Sequence, residues 1–255
     1  MRPVLFELGP FEVHSWGVMV AVAFGCAWLV LRRELDRLTG QAAAAFPLIL
    51  AGAVGGIVGA RLYWFFEHLG DASLIDSFSG AGFTWYGGVL GGAAAVLFVA
   101  RQRRVPLDVV LGAAAPALAL GYGVGRIACQ LAGDGTYGVA SDLPWAMSYP
   151  HGEVPTTERV HPTPVYETLA SLLIFAVLWR LRTRMAPVRL FALYLALAGL
   201  ERFLIEFIRL NDEVALRLTQ PQLFALAMTC AGTIVLALPA RLVRRSPPPR
   251  AAEST

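Results

Sequence analysis

Seven long apolar stretches, separated by short polar ones, run through the chain. Each is close to the length of about 20 residues with which a helix crosses a hydrocarbon layer. Helices satisfy their backbone hydrogen bonds internally, as a lipid environment requires. We therefore predict an all-α integral membrane protein with seven transmembrane helices and a small extracytoplasmic loop or head region. The predicted segments are 13–31, 43–66, 84–100, 107–127, 164–180, 190–208 and 221–240.

The composition agrees with this pattern. Hydrophobic residues make up 56% of the 255 residues, charged residues only 15%, and the mean hydropathy is +0.59. One soluble core could not bury that much apolar surface. We expect one transmembrane domain over 1–245, with its main periplasmic loop at 133–163 and a disordered cytoplasmic tail at 246–255. The three cysteines lie in separate apolar segments, so a metal site is not expected.

The charges predict an orientation. All 21 basic residues are arginines, and four groups of them follow the first, third, fifth and seventh segments. Cytoplasmic ends carry such an excess, so the N-terminus is expected outside and the C-terminus inside. No basic stripe is interleaved with aromatic residues, and nucleic acid is therefore not an expected partner. The four groups are Arg32, Arg33, Arg37; Arg101, Arg103, Arg104; Arg180, Arg182, Arg184, Arg189; and Arg241, Arg244, Arg245, Arg250.

Three further arginines, Arg61, Arg126 and Arg202, lie within or at the ends of apolar segments. A guanidinium at the centre of a bilayer costs about 2.5–3.5 kcal/mol, so it is rarely left without a partner. With a rise of about 1.5 Å per residue, Arg61 and Arg126 lie roughly 28 Å above the cytoplasmic helix ends and Arg202 roughly 18 Å. We expect a cationic pocket in the outer half of the bilayer that binds a lipid phosphate. The alternative is that each arginine extends to the interface or pairs internally, most readily Arg61.

The sixth segment carries Arg202, Glu206 and Arg209 at spacings that place them on one helix face. This polar stripe must face protein or water. An ion pair between Arg202 and Glu206 is the alternative, although Arg before Glu is the weaker order. Glu201 points about 100° away from Arg202 on a helix and is a secondary candidate.

The outer end of the fourth segment is rich in glycine from Gly121 to Gly138, which permits close backbone approach to a headgroup. The loop that follows ends in His161, Tyr166 and Glu167, which we expect at the outer interface. A single histidine at the interface is more often structural than catalytic.

These residues resemble the bacterial prolipoprotein diacylglyceryl transferases, which use phosphatidylglycerol in lipoprotein maturation. The similarity extends along nearly the whole chain and keeps the family's order of motifs. The matching motifs are 14–17 (HSWG), 59–63 (GARLY), 85–88 (WYGG), 125–138 (GRIACQLAGDGTYG), 144–147 (PWAM), 161–162 (HP), 166–167 (YE), 202–203 (RF) and 206–207 (EF) with Arg209.

The resemblance implies a bacterial inner (plasma) membrane enzyme whose partners are phosphatidylglycerol, preprolipoprotein signal peptides and membrane lipids. The lipobox cysteine thiol would attack the glyceryl carbon, form a thioether and release glycerol phosphate, with no cofactor and no metal. Arg126 and Arg202 would bind the phosphate, Glu206 would orient Arg202, and Asp134 would shape the polar turn where the family has Glu. The resemblance also assigns substrate contacts to Trp16, Arg61, Tyr86, Cys129 and Gly138.

Several positions differ from the family's pattern. Cys129 stands where the family has Asn, Tyr86 where it commonly has His, Trp16 where it has Tyr, and Ala198 where it has Tyr. The signature between Arg126 and Gly138 is one residue longer. The base that activates the thiol is therefore open among His161, Tyr86 and Glu206. A diverged member that binds an anionic phospholipid, or modifies another acceptor, is the second interpretation.

Overall fold

The computed structural model describes residues 1–9, 11–68 and 84–239. A helix coincides with each of the seven predicted segments. The predicted tail 246–255, the arginine group 241–250 and the end of the last segment at residue 240 lie outside the described residues. The helices are α1 Ser15–Thr39, α2 Ala45–Glu67, α3 Trp85–Gln102, α4 Leu107–Ala132, α5 Thr163–Leu181, α6 Pro187–Ile205 and α7 Gln220–Ala237.

The segment boundaries shift for local reasons. α4 continues five residues past its predicted end and stops where Gly133 adopts a positive φ of 61°, a conformation that favours glycine after a helix. α5, α6 and α7 each begin with a proline in the first turn, where its missing N–H costs nothing. α6 ends at Ile205, and a single 3₁₀ turn, Glu206–Ile208, replaces the helix predicted to residue 208.

The described chain is mostly helical, as predicted, and short antiparallel hairpins accompany the helices. β1 Val4–Leu8 pairs with β2 Phe11–His14, β3 Met147–Tyr149 with β4 Thr156–Val160, and β5 Glu213–Ala215 with β6 Leu218–Thr219. The first segment was predicted to begin at residue 13, but that residue belongs to β2. These strands are two to five residues long, too short for a clear alternating pattern in the sequence.

Five of the described helical stretches are long and apolar enough to cross a membrane by length and composition: Ser15–Thr39, Ala42–Glu67, Leu107–Ala132, Thr163–Leu181 and Gln220–Ala237. The second includes the 3₁₀ turn Ala42–Ala44 that precedes α2. α6 carries three charged residues, Arg189, Glu201 and Arg202, and α3 has 18 residues including Arg101 near its end.

The chain divides into two compact units, of which Leu31–Val110 forms one. In this unit α2 and α3 pack through facing glycines: a Cβ at Gly59 would meet the Gly87 carbonyl, and one at Gly91 would meet the Gly55 carbonyl. These glycines bring the backbones of α2 and α3 into direct contact. Such pairs let helix backbones approach closely in a membrane.

The second unit comprises Met1–Val30 and Leu111–Arg245. Its core joins α4, α5 and α6 through Ala115, Ala119, Ile174, Leu178 and Leu190. α6 and α7 pack antiparallel through two glycines, since Gly199 faces the Ala225 carbonyl and Gly232 the Ala192 carbonyl. Arg189 at the start of α6 donates to the Leu236 carbonyl of α7 at 2.7 Å. The C-terminal ends of α4 and α6 lie beside the N-terminal end of α5.

Candidate functional site

A buried carboxylate, Glu167 of α5, lies at the centre of the polar groups in this unit. Its side chain is 0% exposed, and its Oε1 accepts hydrogen bonds from the Tyr122 hydroxyl at 2.8 Å and from Arg202 Nη1 at 3.1 Å. Its Oε2 accepts from Arg126 Nη2. Glu167 therefore connects α4, α5 and α6 through charge-assisted hydrogen bonds, which are stronger than neutral ones.

A second carboxylate, Glu206, is held by groups that follow α6. Its Oε1 accepts from Asn211 Nδ2 at 2.6 Å and from the Thr219 hydroxyl at 2.9 Å. Its Oε2 lies 2.6 Å from Arg202 Nη2, an ion pair by distance without hydrogen-bond alignment. The ion pair that the sequence left as an alternative thus forms, and Arg202 contacts both carboxylates.

Arg209 completes the set from the chain just beyond the 3₁₀ turn. Its Nη1 lies 3.5 Å from Glu167 Oε2 and its Nε 3.9 Å from Glu206 Oε2. Burial, reinforced by the neighbouring Arg202 cation, lowers the pKa of the Arg209 guanidinium. These five side chains form what we call the arginine–carboxylate cluster: Arg126, Glu167, Arg202, Glu206 and Arg209.

The cluster is short of negative charge. Within ion-pairing distance, three guanidinium groups face two carboxylates, which gives these five side chains a formal charge of +1. Arg126 Nε and Arg209 Nη1 are buried and have no hydrogen-bond partner among the described residues. A buried donor without a partner costs about 1–3 kcal/mol, and more when it is charged. An anion with several oxygen acceptors would satisfy both donors and balance the charge.

Cys129 lies next to this cluster. Arg126 Nη1 donates to Cys129 Sγ at 3.5 Å, and the side chains of Asp134 and Thr136 interact with the same thiol. Asp134 Oδ1 also accepts from the Thr136 amide at 3.2 Å and its hydroxyl at 2.7 Å. Asp134 therefore closes the turn after α4.

Gly138 holds the loop close to the cluster. Its amide donates to the His161 carbonyl at 2.9 Å, and its neighbour Val139 donates to the Ile208 carbonyl at 2.9 Å. A Cβ at Gly138 would meet that Ile208 carbonyl, Thr163 Cγ2 and His161 Cβ. Gly138 is also bridged to Arg209, so its lack of a side chain sets the path of the backbone on which Arg209 lies.

His161 belongs to an aromatic group at the N-terminal end of α5. Its Nδ1 lies 3.3 Å from the Tyr166 hydroxyl, and that hydroxyl accepts from Trp145 Nε1 at 2.8 Å. The His161 and Tyr166 rings pack edge to face with centroids 6.0 Å apart. Among the described residues, the imidazole Nε2 has no hydrogen-bond partner.

The remaining predicted site residues lie on the first three helices, α1, α2 and α3. Trp16 is in the first turn of α1 and is 47% exposed. Arg61 on α2 and Tyr86 in the first turn of α3 are half-buried and belong to the unit Leu31–Val110. Among the described residues, no group of three or more His, Cys, Asp or Glu side chains is arranged to hold a metal ion.

Two residues of the site were absent from the predicted set. Glu167 was expected only at the outer interface, and Tyr122 was read only as part of a glycine-rich run. A carboxylate just inside an apolar segment is itself a signal of a partner. Its partners on α4 and α6 lie 35 or more residues away in sequence, and no spacing rule within one helix connects them.

Known proteins resemble this chain over most of its length. Residues 3–238 match the family model described as prolipoprotein diacylglyceryl transferase. The phosphatidylglycerol–prolipoprotein diacylglyceryl transferase of Chromohalobacter salexigens is 36% identical, over 90% of this chain and 89% of the relative. The proteins of the same name from Methylococcus capsulatus and Clostridium tetani are 32% and 31% identical, over 96% and 82% of this chain and 97% and 86% of their own lengths. The chain therefore belongs to the prolipoprotein diacylglyceryl transferase family.

Proposed function

We propose that this protein transfers the diacylglyceryl group of phosphatidylglycerol to the lipobox cysteine of preprolipoproteins. The product is a thioether on the cysteine, and glycerol phosphate leaves. Membership of the family and the names of the relatives support this reaction. The arginine–carboxylate cluster supplies the chemistry that the reaction needs.

The observation that carries the proposal is the excess positive charge of the cluster. The phosphodiester of phosphatidylglycerol has one negative charge, which matches the formal +1 of the cluster. Its oxygens are acceptors for the two buried donors, Arg126 Nε and Arg209 Nη1. A planar guanidinium suits phosphate because it presents paired N–H groups in a fixed geometry.

In the proposed step the cysteine sulfur bonds to the glyceryl carbon as the bond from that carbon to the phosphate oxygen breaks. The electron pair of that bond stays on the phosphate oxygen. Arg126 and Arg202 stabilise the charge that develops there, and donors already fixed in place do this best. Glu206 and Glu167 hold the two guanidinium groups so that they need not reorganise.

The thiol proton needs an acceptor, and the contacts favour His161 over Glu206. Glu206 Oε1 accepts from Asn211 and Thr219, and its Oε2 is ion-paired with Arg202 at 2.6 Å. His161 uses Nδ1 toward Tyr166 and has Nε2 available. A base must reach the proton that it removes, so we assign this role to His161, with Asp134 and Cys129 shaping the nearby wall of the site.

We further propose that all seven helices cross a bacterial inner membrane, with the N-terminus outside. α3 and α6 are 18 and 19 residues long, near the length required. The charges of α6 lower its hydropathy, but Arg202 is neutralised by the carboxylates of the cluster and Arg189 is bonded to the end of α7. In this orientation the cluster lies in the outer half of the bilayer, where it would meet outer-leaflet phosphatidylglycerol.

The test is restoration of lipoprotein maturation in cells depleted of their own transferase, together with transfer from labelled phosphatidylglycerol to a lipobox peptide by the purified protein. The expected result is a labelled thioether that forms in the parent protein and is lost in Arg126→Ala. Arg184→Ala is the matched control, since Arg184 is exposed after α5. A parent protein that binds phosphatidylglycerol but labels no lipobox peptide would favour a lipid-binding relative, or an enzyme with another acceptor.

A further inference from the structure

Tyr122 contacts the centre of the arginine–carboxylate cluster without carrying charge. Its hydroxyl donates to Glu167 Oε1 at 2.8 Å. Tyr122 also precedes Arg126 by one turn of α4, and Arg126 Cζ lies 5.7 Å from the centre of the Tyr122 ring. One side chain thus contacts both the carboxylate and one of the arginines that this carboxylate binds.

The hydroxyl differs from the other donors to Glu167. Arg126 and Arg202 each bring a positive charge, and Arg209 adds a third at 3.5 Å. Tyr122 satisfies a lone pair of Glu167 without raising the charge of the cluster. It therefore fixes the rotation of the carboxylate while leaving the attraction for an anion unchanged.

The rotation of this carboxylate matters because each oxygen serves a different arginine. Oε1 accepts from Arg202 and Oε2 from Arg126. If the carboxyl plane turned, both guanidinium groups would move together, one with each oxygen. A shift of about 1 Å in a positioning group lowers a rate by as much as 100-fold.

We propose that Tyr122 is a positioning residue for transfer: its hydroxyl fixes Glu167, and through Glu167 it sets the direction of both Arg126 and Arg202. This inference rests on the proposed function. Tyr122 as a whole is 37% exposed, while its hydroxyl reaches a carboxylate that is fully buried. The residue therefore connects the surface of α4 to the interior of the site.

The test compares Tyr122→Phe with the parent, using the purified full-length protein, labelled phosphatidylglycerol in mixed micelles and a lipobox peptide. Phenylalanine keeps the ring beside Arg126 and removes only the hydrogen-bond donor. We expect kcat to fall about tenfold, the equivalent of one hydrogen bond to a charged group. The KM for phosphatidylglycerol should stay within about twofold, because the cationic charge is unchanged. Tyr194→Phe is the control, since Tyr194 packs against the apolar core of α4, α5 and α6.

A second comparison places the same change in a Glu167→Gln background. If Tyr122 acts through Glu167, its hydroxyl should then alter kcat by less than about twofold, as coupled residues do in a double-mutant cycle. An unchanged kcat in Tyr122→Phe overturns the inference. So does a rise in KM alone, which would make Tyr122 a lipid contact, or a further tenfold loss in the Glu167→Gln background. A parent protein that transfers nothing overturns the proposed function itself, and the inference falls with it.

Discussion

Replacing Glu167 by glutamine would remove one negative charge from the arginine–carboxylate cluster at nearly constant volume. Glu167 is the fully buried acceptor of Arg126 and Arg202, and Arg209 lies 3.5 Å away. The formal charge of the cluster would rise from +1 to +2. The carboxylate now accepts a hydrogen bond at each of its oxygens. In glutamine one of these oxygens becomes an NH₂ group, which is itself a donor and would face the donor of its former partner.

The structure sets the size of the expected effect. Removing one partner of a buried ion pair costs about 3–5 kcal/mol, because a buried charge loses its compensation. For a protein of this length, each kcal/mol lowers Tm by about 2–4 °C, so the expected decrease is roughly 10 °C. A loss of about 3 kcal/mol in the stabilisation of the transition state would lower the transfer rate by more than 100-fold.

The assay measures thermal unfolding of the purified protein in detergent, and transfer from labelled phosphatidylglycerol at a temperature where both proteins remain folded. Glu201→Gln is the matched control. Glu201 is a neighbouring carboxylate on α6 whose Oε1 is buried and has no hydrogen-bond partner among the described residues. Neutralising it removes no described hydrogen bond and only a longer-range attraction to the arginines of the cluster, so its Tm should fall by less than that of Glu167→Gln.

A Glu167→Gln protein with the Tm and transfer rate of the parent would refute this reasoning. It would mean that the three arginines are compensated by something other than Glu167. If Glu167→Gln and Glu201→Gln lowered Tm by a similar amount, the effect would come from the general cost of changing a buried carboxylate.

Three further predictions concern other parts of the site. Gly138→Ala should lower both Tm and the transfer rate because its Cβ would meet the Ile208 carbonyl. Gly125→Ala should leave Tm unchanged, because a Cβ there would meet no atom within 4 Å. Thermal unfolding of the two variants checks this. Arg126→Lys should restore less than a tenth of parental transfer, since an ammonium lacks the planar fork, and a labelled-lipid assay beside Arg126→Ala measures it. Burial raises the pKa of Tyr149 to about 12, so as pH rises through 10 the unfolded chain loses the phenolic proton before the folded protein does. The free energy of unfolding should therefore fall by about 1.4 kcal/mol per pH unit between pH 10 and 12. Tm measured across that range checks this, and the decrease should be absent in Tyr149→Phe.

The hydrophobic pattern predicted where the helices lie because it depends on local spacing alone. It misplaced their ends where other forces decide. α4 continues to Ala132 because Gly133 supplies the conformation that ends it. α6 stops at Ile205 because Glu206 bonds to Asn211 and Thr219 instead of continuing the helix face.

The residues of the candidate site could likewise be predicted only in part. Arg126, Arg202 and Glu206 could be selected from the sequence because charge in an apolar segment is costly. Glu167 could not be given its central place, because its partners come from α4 and from the end of α6 with the turn after it, both distant in sequence. The spacing of Arg202 and Glu206 predicted that they share a face, but only the packing of α4, α5 and α6 reveals the carboxylate between Arg126 and Arg202.

The Thr219 hydroxyl has two partners. It accepts from the Gln222 amide in the capping box that begins α7, and it donates to Glu206 Oε1. During synthesis Arg202, Glu206 and Arg209 leave the ribosome before Thr219 does. The Glu206 carboxylate is therefore completed only when the last helix begins to form, so the order of membrane insertion delays assembly of the site until the chain is almost finished.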